Sequence, residues 1–411
     1  MTGILLDQHP NGATTCIVIG PLPDQVARNF GEFRAILHWL GNDAPASPHP
    51  ALPRDRTQIA YIGVDPSEAT LERFVRLNPR RLPSLIITNA IGGRFADAYQ
   101  RFITETHRVL ESAHRTRFTR QQDGFNWQRH ILQNAPSYAR RRVPAAWAGA
   151  LRGLPAFVCG AGPSLDVSIA QLAASAGGAV IFSADSALRA LARHQVRADF
   201  AVSIDLAKIP TKCLPSDPAF TPAQVVLASV SPPSWQEAIR AERRFFLSGN
   251  QLTDDWFASQ GVARTELSVT ESCGSTAIGL AHYLGCDPIY LFGLDLAVDP
   301  ADPARRHQSQ ADPALYANSR YDPAARLPKV PGNYTETVPC FALGDWQELD
   351  ARLHGNTGAK IFNVNDRGAR LRGTTLVHPS KFRFTPTAEE KTARLAALST
   401  PPISAAAATT A

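Results

Sequence analysis

Several short stretches hold the residues that could do chemistry. Gly160-Ala161-Gly162-Pro163-Ser164 joins a Gly-x-Gly turn to a proline suited to a helix start and a hydroxyl able to meet an amide or a phosphate oxygen. Gly274-Ser275-Thr276 offers glycine and hydroxyls again, and Asp185-Ser186, Ser203 with Asp205, Ser248-Gly249-Asn250 and Asp295 add carboxylates, hydroxyls and an amide. Amides and hydroxyls of this kind hold phosphate, and carboxylates accept a proton or hold Mg²⁺. The first glycines fit neither G-x-G-x-x-G nor a Walker A loop, so the dinucleotide and P-loop fingerprints do not apply. A purely structural tight turn and a phosphate cradle both remain open for that stretch.

Most of these stretches follow a short apolar run. Residues 156–159, 179–183, 200–204, 225–229, 245–247, 266–269, 289–292 and 360–363 read as strands, with helix-spaced apolar residues between several of them, such as Leu165, Ile169 and Leu172. Alternation of this kind predicts an α/β fold with a doubly wound, mainly parallel sheet. Ligands bind such sheets beyond the carboxyl ends of the strands, where these polar residues fall.

The rest of the chain is less eventful. Residues 1–94 read as a small N-terminal α/β domain, with strands at 16–19, 59–64 and 85–88. Val26, Phe30, Phe33, Ile36, Leu37 and Leu40 fall at helical spacing there. Residues 95–150 read as a helical connector of two helices, the second carrying Trp127, Ile131 and Tyr138, with Asn126, Arg129, His130 and Asn134 on a solvated face. Residues 151–384 read as a second, larger domain that carries these strand-end residues. The aperiodic stretch 296–340 is a long loop of the functional or disordered kind, and 385–411 reads as a disordered tail.

Of the 411 residues, 44% are hydrophobic and 19% charged, and the net charge of +6 is carried almost entirely by scattered arginine. That pattern reads as a solvated surface rather than a nucleic-acid footprint. Cys16, Cys159, Cys213, Cys273, Cys286 and Cys340 have no metal-ligand spacing and read as reduced thiols of a cytoplasmic protein. No leader peptide and no membrane span are read.

Taken together, the motifs resemble a known family. Gly160 to Asp166, Ala184 to Leu188, Ser203-Ile204-Asp205, Gly274 to Thr276, Leu284 to Pro288 and Leu291 to Asp295 are similar to the DUF115 domain. That domain unites the motility accessory factor (Maf) glycosyltransferases with the 6-hydroxymethyl-dihydropterin diphosphokinases of the MptE type. Pro331-Gly332-Asn333-Tyr334, residues 363–366 and 367–373, and the connector from Asn126 to Pro136 look more like the Maf branch. The resemblance covers roughly residues 100 to 380. It implies a Rossmann-like, sialyltransferase-related fold and transfer of a nonulosonic acid of the pseudaminic or legionaminic type from its CMP form to flagellin Ser or Thr. Maf proteins continue into a helical domain thought to hold flagellin. No counterpart is read after about residue 385, so the flagellin acceptor rests on the resemblance alone.

Under that reading Gly160, Gly162, Pro163, Ser164, Asp185, Ser203, Ser248, Asn250, Gly274, Ser275, Thr276 and Asp295 bind the nucleotide. Asp205 is the candidate base, His378 a second candidate, and Asn333 and Tyr334 belong to a donor or acceptor loop. Asp205 serves equally well as a ribose or metal contact or a strand-end cap, and Mg²⁺ is the one cofactor considered. In the alternative, a Mg·ATP-dependent pterin diphosphokinase, Asp205 and Asp295 hold Mg²⁺. No lysine is read near the glycine turn. A non-catalytic nucleotide or glycan sensor is the third reading.

Overall fold

The computed structural model describes residues 4–7, 15–20, 22, 33–40, 57–62, 68–77, 82–88, 96–249, 252–298, 305–308, 327–356, 358–384 and 388–398. The chain divides into two compact units, residues 1–124 and 125–411.

The first unit has a five-stranded sheet in the order β1-β5-β2-β3-β4, made of β1 (Ile4–Asp7), β2 (Thr15–Ile19), β3 (Ala35–Leu40), β4 (Thr57–Ile62) and β5 (Ser84–Thr88). All its pairings are parallel except β1 with β5. Helix α1 (Glu68–Arg76) packs Leu71, Phe74 and Val75 with Ile17, Leu37 and Trp39. The helix expected from Val26 through Leu40 is corrected in its second half, which is strand β3. Ile36 faces one core cluster while Leu37 and Trp39 face another, so a strand buried on both sides produces an apolar run that also fits helical spacing.

The connector is one helix, not two: α2 spans Ala96–Arg140, 45 residues. Gly124 lies inside it, at a cost of about 1 kcal/mol relative to alanine. The boundary between the units falls within this helix.

The second unit is an eight-stranded, wholly parallel sheet in the order β10-β9-β8-β7-β6-β11-β14-β15. Its strands are β6 (Ala156–Cys159), β7 (Val180–Ala184), β8 (Phe200–Ser203), β9 (Gln224–Ala228), β10 (Arg244–Leu247), β11 (Ile289–Phe292), β14 (Ile361–Val364) and β15 (Thr375–Val377). A short hairpin, β12 (Lys329–Pro331) with β13 (Thr337–Pro339), lies inside the stretch expected to be loop. The helices are α3 (Leu165–Ser175), α4 (Leu188–Arg193), α5 (Pro210–Cys213), α6 (Ser234–Ala238), α7 (Leu252–Ser259), α8 (Cys273–Tyr283), α9 (Leu343–His354) and α10 (Ala388–Ala397).

Each central strand alternates its side chains between two cores. Phe157, Cys159, Ile181 and Phe292 meet α3 and α4 on one face, and Ala156, Val158, Phe182 and Leu291 meet α8 and α9 on the other. Helices on both faces explain why the strands read as continuous apolar runs. The expected strand at 266–269 is only a single bridge, Ser268 to Ser248. The expected disordered tail holds helix α10, anchored by ion pairing of Lys391 with Asp199 (2.9 Å) and by buried Leu398.

Candidate functional site

The strands run outward from β6 to β10, then the chain returns to place β11 on the other side of β6. Such a reversal opens a crevice at the carboxyl ends of the two strands. The glycine turn follows β6 and Asp295 follows β11, so both lie at that switch point.

The turn is closed from within. Asp295 Oδ2 accepts the Ser164 amide (2.7 Å), and its Oδ1 accepts the Ser164 hydroxyl (2.5 Å) and Asn365 Nδ2 (3.3 Å). The Gly160 and Gly162 amides donate to the carbonyls of Phe292 (2.8 Å) and Gly293 (2.7 Å). A Cβ on Gly162 would stand 2.5 Å from Asp295 Oδ2, and one on Gly160 2.5 Å from Gly293 O. Neither glycine has positive φ, so close approach to β11 demands them rather than handedness. Pro163 contributes only its carbonyl, to the Asp166 amide (3.2 Å). The anion at this helix start is therefore the protein's own carboxylate. Burial pushes its carboxyl up to about 6 against the opposing Ser164 hydrogen bonds.

The second glycine turn is also used internally. The Ser272 hydroxyl caps α8 by accepting from the Ser275 amide (3.1 Å). Gly274 packs on Leu294, whose Cδ2 would lie 2.5 Å from an added Cβ. Ser275 Oγ accepts from Arg352 (3.2 Å), and Thr276 Oγ1 meets both the amide and hydroxyl of Thr270.

On the other side of β6 the rim is charged. Asp185, fully buried at the end of β7, accepts from the Ser203 hydroxyl (2.8 Å), the Ser186 amide (2.7 Å) and Lys208 Nζ (3.2 Å). The Cys273 thiol, pushed up by burial, also points at it (3.6 Å). Lys208 reaches Ser186 Oγ as well (3.4 Å), so a lysine stands in the cluster at the end of β7. Asp205 lies exposed beyond β8 with Oδ1 accepting the Ala207 amide (2.8 Å).

Residues 305–308 fold onto this rim. Arg305 pairs with Asp166 in the first turn of α3. Arg306 lies over the Phe341 ring, 5.6 Å from its centroid. His307 hydrogen-bonds to the Ala161 backbone and is held down to about 3 by burial and by the charges of Arg306 and Lys208. The Gln308 amide donates to Ala161 O (2.8 Å) and its side chain to Ser186 O (3.5 Å), bridging the two turns. None of these residues was marked as functional from sequence. The signal was the run Arg305-Arg306-His307 inside an otherwise aperiodic loop.

Other expected residues lie apart. Ser248 ends β10, four strands from β6, roughly 19 Å away at ordinary strand spacing. It is spent on Tyr138 OH (2.9 Å) and the Thr265 amide (3.0 Å), and Tyr138 also donates to buried Asp254 (2.6 Å). Asn250 lies outside the described residues. His130 and Asn134, expected on a solvated face, are buried and clamp the turn after β9 through Val230 O (3.0 Å) and the carbonyls of Ser229 and Ser231 (both 2.8 Å). Asn126 is half-buried and Arg129 exposed.

Asn333 and Tyr334 form the tip of the β12–β13 hairpin. Asn333 Nδ2 donates to the carbonyls of Arg367 (2.8 Å) and Ala369 (3.1 Å), and Tyr334 OH to Asn365 O (3.0 Å). The Tyr334 ring meets His378 edge-on at 5.8 Å, and His378 Nδ1 bonds the Ser380 hydroxyl (2.7 Å). His378 follows β15 and Asp205 follows β8, five strands apart, so roughly 24 Å of sheet separates them and they cannot act on one proton. Asp205 and Asp295 are three strands apart, roughly 14 Å, whereas Mg–O bonds are about 2 Å, so they do not fit one shared ion.

The doubly wound sheet with its switch-point rim defines a Rossmann-like α/β domain. Residues 129–300 match the family model "6-hydroxymethylpterin diphosphokinase MptE-like", in line with the DUF115 resemblance of the motifs. No curated protein matches. Among solved structures, the Maf glycosyltransferase from Magnetospirillum magneticum AMB-1 overlays with a TM-score of 0.58 at 19% identity, over 96% of this chain and 62% of that one. This chain thus spans under two thirds of that protein's length. The sialyltransferase CstII from Campylobacter jejuni, solved with cytidine-5'-monophosphate in a complex with a substrate analogue, matches at TM-score 0.26 and 11% identity. It covers 57% of this chain and 89% of its own, and no argument rests on it. No helix among the described residues is long and apolar enough to cross a membrane.

Proposed function

We propose that the second unit is a Maf-type glycosyltransferase that moves a nonulosonic acid from its CMP form to a hydroxyl acceptor, with Ser or Thr of flagellin or another surface protein as the acceptor class and the cytoplasm as the compartment. The observation that carries this reading is the unequal state of the two strand-end aspartates. Asp205 is exposed on the rim, where an acceptor hydroxyl can reach it, while Asp295 is buried and committed to Ser164 and Asn365.

In the proposed reaction Asp205 takes the acceptor's hydroxyl proton. The acceptor oxygen bonds to the anomeric carbon, the bond from that carbon to the phosphate oxygen breaks, and CMP leaves with the electron pair. The leaving phosphate needs positive charge at the same rim. The alternative is the diphosphokinase activity that the family description names, and a Mg²⁺-dependent form of it finds no shared Asp205–Asp295 ion site. The likeness to the Maf structure supports the first reading because it runs well beyond residues 129–300.

Thermal-shift titration with CMP, CTP, ATP and UDP, with and without Mg²⁺, tests it: CMP and CTP should stabilise the fold most. Asp205→Asn should then lower turnover of the CMP-sugar by about 10²–10⁴-fold. Stabilisation by Mg·ATP with none by CMP would move the assignment to the diphosphokinase. Full turnover by Asp205→Asn would remove its role as base.

A further inference from the structure

The charged side of the rim gathers cations from separate parts of the chain. Lys208 arrives from the connection after β8, while Arg306 and His307 arrive from the segment after β11. His307 feels both other charges and holds the Ala161 backbone, next to the glycine turn. Among the described residues, Arg306 and Arg305 flank this imidazole on its own segment, the latter paired with Asp166 of α3. Lys208 is held by Asp185 at the end of β7, and the Phe341 ring lies 6.2 Å away. Burial, and then the charges of Arg306 and Lys208, disfavour charging of this imidazole, and a bound anion would favour it. Held neutral by these causes, His307 is placed to gain a proton when negative charge arrives.

We infer that Lys208, Arg306 and His307 form a phosphate-binding cluster, and that His307 takes up a proton from solvent as the phosphate binds. As the holder of the leaving phosphate, the cluster rests on the glycosyltransferase reading; as an anion site it does not. Arg306 would supply the planar guanidinium suited to phosphate oxygens, Lys208 a point charge, and His307 a donor that strengthens when protonated. Gln308 holds the segment to Ala161 and Ser186, so the cluster is tied to the turns after β6 and β7. This assigns the phosphate to the β7 side of β6, beside the glycine turn rather than on it.

Sulfate is the direct probe, because it is a dianion that does not itself titrate near neutrality. Titrated calorimetrically at pH 6 in buffers of different ionisation enthalpy, wild-type protein should bind sulfate saturably and take up protons in step with occupancy. Arg306→Gln should weaken sulfate about tenfold or more, the loss of one charge-assisted hydrogen-bond partner. His307→Asn should still bind but lose the proton uptake. Both positions lie in a half-buried segment, so these variants leave the sheet intact. Absence of saturable binding, unchanged affinity in Arg306→Gln, or equal proton uptake in His307→Asn would each overturn the inference. If sulfate behaves as stated and CMP does not bind, the anion cluster stands and the nucleotide reading falls.

Discussion

Asp295 and Asp185 end the strands on either side of β6, and both are buried. Their partners differ in kind. Asp295 is met by an amide and hydroxyl of Ser164 and by Asn365, all neutral, whereas Asp185 is met by Lys208 as well as by Ser203 and Ser186. The β11 side is thus sealed: a helix start suited to an anion is filled by a side chain of the same chain. The β7 side keeps cations at the rim, and residues 305–308 bring more. A glycine turn with the look of a phosphate cradle can be the most rigid part of a site while the ligand's charge is met one strand away.

The sharpest way to break this comparison is at the sealed side. Gly162→Ala forces a methyl against Asp295 Oδ2 and Gly293 O, the latter backbone that cannot swing aside. Overpacking plus loss of the Ser164 contacts should cost about 3 kcal/mol or more, read from urea unfolding midpoints. A folded Gly162→Ala protein of wild-type stability would show that the turn has room for a ligand after all.

A smaller effect at Asp295 appears with pH. Asp295 titrates at about 6 in the folded chain, against 3.8 for the ordinary group. Its folded value is raised, so the folded state holds a proton that the unfolded chain has already released. Its contribution to stability is complete below about pH 4 and declines as pH rises through about 6, by about 3 kcal/mol in all. Unfolding curves at pH 4, 5, 6 and 7 should show that decline in wild type and lack it in Asp295→Asn. An unchanged slope in Asp295→Asn would assign the decline to another group.

How far these features could be read from sequence follows from where they come from. The parallel sheet was legible because strands covered on both faces are apolar throughout, and strand ends with Gly, Ser and Asp marked the rim. The same doubly buried pattern misled at Ala35–Leu40, where an unbroken apolar run fits a helix equally well. Gly160, Gly162 and Asp295 were picked out as residues, but their mutual closure was not, since the contact joins positions far apart in the chain. His130, Asn134 and Tyr138 show the same limit: polar residues on a helix announce nothing until the carbonyls of Ser229, Val230 and Ser231 arrive beneath them. Arg306 and His307 sit in a stretch with no periodicity, and only the fold brings them beside Lys208.

Calorimetric titration of CMP into wild type, Ser164→Ala and Arg306→Gln tests the central claim most directly, because it asks which side of β6 receives the phosphate. Ser164→Ala loses the hydroxyl donated to Asp295 and should be less stable by about 1–2 kcal/mol, yet bind CMP within about twofold of wild type. Arg306→Gln should keep its stability and bind CMP about tenfold more weakly or worse. The reverse pattern, with affinity lost in Ser164→Ala and kept in Arg306→Gln, would put the phosphate on the glycine turn and contradict the account.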